Sequence, residues 1–298
     1  MKRKKVILLT NERSGQGKIR RCIYDILTIF SDAGYDVIVR PVFSMPKDEQ
    51  ITAEDHPDMV ICCGGDGTLH HTINTMIQKN LDYPLGYIPM GTTNDFSRSL
   101  ELPRKTEDVC RAILDGDIID YDIGKFNDEY FNYVAAFGVF SDASYTTRQE
   151  DKNLFGYAAY VVNAISNLPH YVSDQYHMTI HADSFEAEGN YIFGAVSNSM
   201  SIGGMRIKGF TRERLTDGKF DLFLIKAPQN ANDLTEIALA LSSGDYNHPY
   251  IEMREITRVE FESNEETGWT LDGEFGGTHK KEIITLGKKI KMIVPARK

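Results

Sequence analysis

Several features that would assign a chain to a common protein class are missing from this 298-residue sequence. It has no apolar run that approaches the roughly 20 residues of a membrane-spanning helix, and no signal peptide is visible. It also lacks an excess of positive charge: its net charge is -10, which argues against broad binding to the anionic backbone of nucleic acid. We therefore predict no transmembrane segment and no nucleic-acid partner, so that any membrane contact would be peripheral.

Cysteine is also scarce, and the four cysteines show no metal-binding spacing. Cys62 and Cys63 stand inside an apolar run, and Cys22 and Cys110 are isolated from them. Reduced core cysteines in a cytoplasmic protein are the simplest account of this pattern. A short basic run at residues 2–5 is the local exception to the acidic balance, and it is either a contact for anionic lipid or a solvated terminus.

What the sequence does contain fits a globular protein long enough for two domains, with 41% hydrophobic and 26% charged residues. Its most informative stretch begins with the apolar run Met59–Cys63, which predicts a short buried strand. A glycine-rich turn follows, and then apolar residues recur at helical spacing from Leu69 to Ile77. A strand, a glycine turn and a helix together favour phosphate binding, because glycine admits close backbone approach and the helix N-terminus attracts anions.

Asp66 stands in the middle of this turn and makes the prediction more specific. A carboxylate beside phosphates would repel them unless a cation lies between, so Asp66 indicates Mg²⁺ bound through carboxylate, water and phosphate oxygens. A tight turn with a solvated aspartate is the alternative. His70 and His71 follow in the first turn of the helix, where adjacent positions do not share a helix face and so do not suit a metal.

Two further loops have the same character. Residues 11–18 follow the apolar run Val6–Leu9 and precede an amphipathic helix that Gly34 ends, but their spacing is not that of a Walker A motif. Residues 91–97 follow a short strand near Pro84–Pro89 and contain two hydroxyls, an amide and the carboxylate of Asp95. An ordinary loop and an N-cap run are the respective alternatives.

The alternation of strands and helices predicts an α/β domain over residues 1–122, with an open, mostly parallel sheet and helices on both faces. Ligands of such sheets bind beyond the carboxyl ends of the strands. All three loops lie at that edge, so we expect them to converge.

From Ile118 the sequence alternates with a period of two, and runs of strands follow with few helices. The pattern predicts a β-rich antiparallel sandwich over residues 123–284, whereas the tail, about 285–298, is free to return to the first domain. We predict one helical insert near Leu154–Leu168 and one helix at Leu234–Leu241, capped near Asn232 or Asp233. Two acidic turns, at residues 214–219 and 271–274, are either plain turns or cation and catalytic sites.

Three motifs in this order resemble the diacylglycerol kinase catalytic-domain family, closest to its soluble bacterial lipid kinases. They are Gly-Gly-Asp-Gly-Thr at residues 64–68, Gly-Thr-Thr-Asn-Asp-Phe at 91–96 and Leu-Asp-Gly-Glu at 271–274. The first motif is shared with NAD kinases, and the second separates the chain from them. The resemblance covers essentially the whole chain and implies an NAD-kinase-like or diacylglycerol-kinase-like fold for the first domain.

The resemblance also implies site residues. The ATP contacts that it implies are Asn11, Glu12, Arg13, Ser14, Gly15, Gly64, Gly65, Asp66, Gly67, Thr68, Leu69, His70, His71 and Thr92. It implies that Glu274 is the catalytic base and that Asp217 holds a structural Mg²⁺ with the carbonyls of Arg214 and Lys219. Asp122 resembles an acidic member of the family's charge network. The chain departs from the family where Asn11-Glu12 replaces Asn-Pro, and it has no obvious threonine contact to ATP after the second strand, although Ser44 is near.

We therefore predict an ATP-dependent lipid kinase that phosphorylates the hydroxyl of diacylglycerol or a related lipid at a membrane surface. Asp66, with Asp95, would position Mg²⁺, and Glu274 would accept the hydroxyl proton. Two alternatives stay open: a kinase of a sphingoid base or of NAD, and a non-catalytic nucleotide or lipid binder of the same fold. A homodimer is compatible with the sequence.

Overall fold

The computed structural model describes residues 3–91, 94–138, 175–183, 185–202, 205–206 and 210–297. The chain divides into two compact units, Met1–Tyr121 with Lys288–Lys298 and Asp122–Gly287. The predicted helical insert near residues 154–168 lies outside the described residues.

The first unit alternates strands and helices. Its elements are β1 (Lys4–Thr10), α1 (Ile19–Asp32), β2 (Tyr35–Pro41), β3 (Met59–Gly64), α2 (Asp66–Gln78), β4 (Leu85–Pro89), α3 (Asp95–Ser99) and α4 (Thr106–Leu114). The strand order is β2-β1-β3-β4, and each neighbouring pair runs parallel. β3 is buried along its whole length, as its continuous apolar run Met59–Cys63 requires, whereas β2, at the end of this order, is only partly buried.

The helices of the first unit form because their apolar residues recur at helical spacing. In α1, Ile19, Ile26 and Phe30 are buried while the intervening charged residues face out. Short 3₁₀ turns occur at Ser14–Gly17 and Ala53–Asp55. Cys62, Cys63 and Cys110 are buried and all four cysteines are free, in agreement with the prediction of reduced core cysteines.

The second unit consists mainly of strands, and its first and last strands also include residues of the first unit. Its elements are β5 (Asp117–Phe126), β6 (Glu129–Phe131), β7 (Val134–Gly138), β8 (Tyr176–Ala182), β9 (Phe185–Ser197), β10 (Ser201–Ile202), β11 (Met205–Arg206), β12 (Phe220–Lys226), α5 (Ala231–Ser243), β13 (Ile251–Ile256), β14 (Arg258–Leu271) and β15 (Glu274–Val294). The main order is β13-β12-β9-β7-β14-β15, with β8 beside β9 and β14. These neighbours pair antiparallel, as predicted for this half.

At β12 both faces of this strand layer are buried, because the residues of β12 alternate between two cores. Leu222 and Leu224 belong to an aromatic core that contains Trp269. Phe223 and Ile225 belong to a second core that contains residues of α5, among them Ile237. Period-two alternation of apolar side chains on both faces therefore accounts for the continuous apolar run of β12.

One predicted helix cap is corrected by the structure, and two features of the sheet extend the prediction. β15 continues past Gly287, Met292 pairs in parallel with Leu85, and residues 288–298 belong to the first unit. Over the whole described chain most strand pairs are antiparallel. The N-cap of α5 is Asn230 rather than Asn232 or Asp233, because the Asn230 side chain accepts hydrogen bonds from the N–H groups of both.

Within the described residues, the structure has no helix that is both long enough and apolar enough to span a membrane. Two basic residues near the start make contacts with other residues of the first unit. The Arg3 guanidinium pairs with Asp36 at 2.7 Å, and Lys5 Nζ donates to the carbonyl of Asp55 at 2.8 Å.

Candidate functional site

The carboxyl ends of the parallel strands are tied together by backbone hydrogen bonds. Val42 N donates to the carbonyl of Thr10 at 2.9 Å, which joins the end of β2 to that of β1. Asn11 N donates to Cys63 at 2.9 Å, and Met90 N donates to Gly64 at 2.7 Å. The three loops singled out in the sequence therefore begin at one edge of the sheet.

Glycines allow these loops to approach each other closely. A Cβ on Gly65 would lie 3.3 Å from the Cα of Gly91, and a Cβ on Gly91 would lie 2.8 Å from the Cα of Gly65. Gly15 has φ +53°, and a Cβ there would lie 2.0 Å from the carbonyl oxygen of Met90. Side chains at these positions would separate the loops, which explains the choice of glycine.

Asn11 holds the first loop against the glycine-rich turn. Its Oδ1 accepts hydrogen bonds from Arg13 N at 2.9 Å and Ser14 N at 3.1 Å, while its Nδ2 donates to Thr68 Oγ1 at 2.7 Å. Ser14 Oγ in turn accepts from Gly65 N at 3.2 Å. The structure thus brings together Asn11, Ser14 and Gly15 with the turn at residues 64–68, and it leaves Glu12 and Arg13 exposed.

The helix α2 begins at Asp66, directly after Gly65, so Asp66, Gly67 and Thr68 form its first turn. A helix N-terminus supplies backbone N–H donors and a positive dipole end. Leu69 is fully buried, so only its backbone can face a ligand, whereas His71 is exposed. The His70 and His71 rings lie 5.6 Å apart in an edge-to-face arrangement.

Tyr87 is a site residue that the sequence analysis did not identify. Its hydroxyl lies 3.2 Å from Asp66 Oδ1 and 3.4 Å from Asn94 Oδ1, and its side chain is fully buried. Burial, together with the nearby Asp66 carboxylate, raises the pKa of Tyr87 well above its usual value. Tyr87 therefore stays protonated, and its hydroxyl donates a hydrogen bond that orients the Asp66 carboxylate. Its position in the apolar β4 gave no polar signal in the sequence.

The remaining members of the second motif are only partly described. Asn94 takes the left-handed conformation with φ 50°, and its Nδ2 donates to the carbonyl of Gly91 at 2.7 Å. Asp95 begins α3. Thr92 lies outside the described residues, and the side chain of Asp95 is not described.

The acidic turn at residues 271–274 separates its two carboxylates. Asp272 and Gly273 have φ 54° and 85°, as a two-residue hairpin turn between β14 and β15 requires. Asp272 is 4% exposed, and its carboxylate accepts hydrogen bonds from the N–H groups of Asn132, Tyr133 and Val134. Glu274 is exposed at the start of β15. The alternative of a turn with two solvated acids is therefore wrong for Asp272.

The second acidic turn is joined to Asp122. Asp217 is exposed, and its Oδ1 accepts from Lys219 N at 2.9 Å. The next residue in the turn, Gly218, donates its N–H to Asp122 Oδ2 at 2.7 Å, and Asp122 is fully buried. The structure therefore brings together Asp122 and the Asp217 turn, although 95 positions of sequence separate the two aspartates.

A charged group that the sequence analysis missed adjoins this turn. The Asp221 carboxylate is 3% exposed, and Arg214 lies 2.6 Å from it and 2.9 Å from Glu255. Burial raises the pKa of Asp221 to about 6, and Arg214 opposes that rise. An aspartate inside the apolar run of β12 was the available sequence signal.

The donor atoms of these turns suit a hard cation only with help from the backbone. Within the described residues, no group of three or more His, Cys, Asp or Glu side chains is placed to hold a metal ion. Mg²⁺ is nevertheless often bound by one or two carboxylates together with water or phosphate. Asp66, in the first turn of α2, and Asp217, in an exposed turn, each offer one carboxylate for that mode.

Comparison with known proteins gives two matching family models. The diacylglycerol kinase catalytic domain matches residues 5–126, and the YegS C-terminal NAD kinase beta sandwich-like domain matches residues 134–294. Together they cover both halves of the sequence.

Individual relatives match over nearly their full length. A Staphylococcus saprophyticus protein named diacylglycerol kinase is 29% identical over 301 residues, which span 98% of this chain and 96% of the relative. A Staphylococcus aureus protein of the same name is 28% identical and spans 98% and 93%. A crystal structure from Bacillus anthracis, provisionally described as a diacylglycerol kinase, superposes with a TM-score of 0.80 at 22% identity and covers 99% of this chain and 96% of that one.

Proposed function

The chain belongs to the family in which a diacylglycerol kinase catalytic domain precedes a YegS C-terminal NAD kinase beta sandwich-like domain, and we propose that it phosphorylates the hydroxyl of diacylglycerol or a related lipid. Members of this family are lipid kinases that take a phosphoryl group from ATP, and this chain is one of them. The relatives named diacylglycerol kinase support the choice of acceptor, since the similarity extends over almost the whole chain.

The observation that carries this proposal is the convergence of three glycine-containing loops at the N-terminus of α2. Asn11 Nδ2 bridges to Thr68, Ser14 Oγ accepts from Gly65 N, and Gly65 lies against Gly91. A triphosphate placed at this edge would meet backbone N–H groups and the positive end of the helix dipole. We assign the nucleotide contacts to residues 11–15, 64–71 and Thr92.

Asp66 is proposed to hold the cation that accompanies the phosphates. Tyr87 fixes the direction of the Asp66 carboxylate, which favours a positioning role over that of a freely rotating surface acid. Bound Mg²⁺ would supply charge neutralisation of the transferred phosphoryl group. Asp95 is proposed to assist Asp66, and the backbone N–H groups of the turn would hold the phosphate oxygens in place.

Glu274 is proposed as the base that accepts the proton of the lipid hydroxyl. A general base needs a carboxylate that a substrate can reach and that is not already saturated with hydrogen bonds. Asp272 fails this requirement because three backbone N–H groups occupy its carboxylate, whereas Glu274 is exposed two residues later. This contrast supports Glu274 within the Leu-Asp-Gly-Glu motif.

Asp217 is proposed to hold a second, structural Mg²⁺ with the carbonyls of Arg214 and Lys219. The buried Asp122 supports this turn from its other side through Gly218 N, as a member of the same charge network. The turn already depends on the carboxylates of Asp217 and Asp122 for its shape, so a cation here would stabilise the turn. We assign this cation no part in phosphoryl transfer.

The acceptor lipid is proposed to be taken from a membrane surface by a protein that associates with it peripherally in the cytoplasm. A self-associated dimer is compatible with this role. A membrane surface is the proposed partner because the proposed acceptor, diacylglycerol, resides in the bilayer.

A lipid-panel assay with labelled ATP in mixed micelles tests the proposed acceptor. We expect transfer to diacylglycerol, weaker transfer to related glycerolipids, and none to sphingoid bases or NAD. An Asp66→Ala variant is the matched control, since it removes the proposed cation ligand while β3 and α2 keep their apolar contacts. Transfer only to a sphingoid base or NAD, or ATP binding without transfer to any lipid, would reject the proposal.

A further inference from the structure

Phe43 is a partly exposed aromatic residue that contacts the loop at residues 11–18, one of the three loops of the proposed nucleotide site. Its side chain is 52% exposed, although an exposed apolar ring gains nothing from the protein core. The guanidinium carbon of Arg13 lies 4.3 Å from the centroid of the Phe43 ring, within the range of a cation–π contact. Arg13 itself belongs to the loop that Asn11 organises.

The position of this pair in the sheet relates it to the proposed nucleotide site. Phe43 follows β2, and the hydrogen bond from Val42 N to Thr10 fixes the end of β2 beside the start of the Asn11 loop. The strand order is β2-β1-β3, so the pair lies two strands away from the glycine-rich turn after β3. Two strand spacings amount to about 10 Å, which matches the separation between the phosphates and the base of an extended nucleotide.

We infer that the Arg13–Phe43 pair is the stacking surface for the nucleobase of ATP, an inference that rests on the proposed function. A nucleobase presents flat faces that stack on aromatic rings and on guanidinium planes. Arg13 holds one side of the Phe43 ring and keeps the pair at the edge of the sheet. Phosphates at the α2 N-terminus and a base on Phe43 would span the strand ends that the backbone hydrogen bonds join.

Stacking makes a specific prediction about which ligands depend on Phe43. Every base has a π-face, so stacking tolerates base identity, and a larger purine gains more contact than a pyrimidine. Phe43 should therefore contribute to the binding of ATP and GTP and should contribute nothing to a triphosphate without a base.

Calorimetric titration of the full chain with ATP and with inorganic tripolyphosphate, in the presence of Mg²⁺ and without lipid, tests this inference. Phe43→Ala should weaken ATP binding roughly 5- to 100-fold, as loss of one stacked base does, and should leave tripolyphosphate binding unchanged. Phe43→Tyr should keep the affinity of the parent. Tyr24→Ala is the matched control, because Tyr24 is an aromatic residue of α1 that is 80% exposed.

The outcomes separate this inference from the proposed function. ATP binding to the parent that is unaffected by Phe43→Ala would overturn the stacking surface and leave the kinase assignment standing. Equal losses for ATP and tripolyphosphate would also overturn it, because Phe43 would then act on the loops and not on the base. A parent chain that binds neither ligand would reject the proposed function itself.

Discussion

At the scale of single residues, Glu282 is the carboxylate least expected from its surroundings. It is fully buried opposite Phe261 in the aromatic core of the second unit, where Trp269 also lies. Among the described residues, neither of its oxygens has a hydrogen-bond partner within ordinary distance. Burial raises the pKa of Glu282 from 4.5 to about 7, and the nearby Trp269 opposes that rise.

This shift makes stability depend on pH in a defined direction. Between pH 4.5 and about 7 the folded chain keeps the Glu282 proton that the unfolded chain has lost. The contribution of Glu282 to the free energy of unfolding should therefore be highest below pH 4.5 and fall by about 3 kcal/mol as pH rises to 7, with little further loss above. Denaturant unfolding at several pH values measures this, with Trp269, the sole tryptophan, as the probe.

Glu282→Gln should remove this part of the pH dependence, because an amide does not titrate. The exposed Glu265 provides the matched control, and Glu265→Gln should retain the slope of the parent. An identical pH profile for Glu282→Gln and the parent would contradict the assignment.

Glu274 and Asp272 should fail in different ways when each loses its charge. Glu274→Gln should lower turnover roughly hundred- to ten-thousand-fold, as loss of a general base does, with ATP binding and melting temperature unchanged. Asp272→Asn should lose charge-assisted hydrogen bonds to three backbone N–H groups and cost about 2 kcal/mol of stability, a fall of roughly 4–8 °C in melting temperature. Near-normal turnover in Glu274→Gln would reverse the roles.

The difference between these two residues shows what local sequence conveys at this scale. The Asp-Gly dipeptide correctly predicted the turn, because both central residues need positive φ. The buried role of Asp272 depends on N–H groups about 140 positions earlier, and no local pattern records such a partner. Tyr87 and Phe43 were missed for the same reason, since their partners come from other loops.

At the scale of elements, periodic apolar runs predicted type and position well. The strand over Met59–Cys63 and the helix with apolar spacing from Leu69 to Ile77 are confirmed. The lengths of β14 and β15 could not be predicted from apolar periodicity, because both strands pass through polar stretches. Their register shifts between Glu262 and Thr267, which lets polar residues project from a continuous strand.

The Asp217 turn yields a prediction at this scale. If it binds Mg²⁺, melting temperature should rise with added Mg²⁺ in the parent, because a ligand of the folded state stabilises it by mass action. Asp217→Asn should lose this increment while keeping the acceptor for Lys219 N, and Asp217→Ala should in addition lower the melting temperature without metal. The same Mg²⁺ response in Asp217→Asn as in the parent would show that the residue forms only a turn.

At the scale of the whole molecule, the sequence indicated a first half of alternating strands and helices and a β-rich second half. The structure divides the two units between Tyr121 and Asp122. The last strand could not be assigned from its pattern, because an alternating run pairs equally well in either unit. Its end belongs to the first unit, where Met292 pairs in parallel with Leu85 of β4, and that partner lies about 200 positions earlier in the chain.

The net charge of -10 opposes binding to membranes that contain anionic lipid. The basic run at residues 2–5 was predicted to attract anionic lipid, yet two of its side chains make contacts within the chain. Arg3 pairs with Asp36 and also donates to the carbonyl of Tyr35 at 2.6 Å, and Lys5 donates to Asp55. Charge attraction should therefore be small.

We accordingly expect weak binding to vesicles that contain anionic lipid, at about 1 kcal/mol for each basic residue near the surface. Substituting Lys2 and Lys4 with Gln, which leaves the Arg3 and Lys5 contacts intact, should weaken co-sedimentation with anionic vesicles by up to roughly 30-fold, and salt should weaken the parent similarly. Neutral vesicles are the control and should bind parent and variant equally. If neither salt nor the substitutions changes binding, an apolar surface must make the contact. Phe275, 60% exposed beside Glu274, would then be the first residue to replace with Ser.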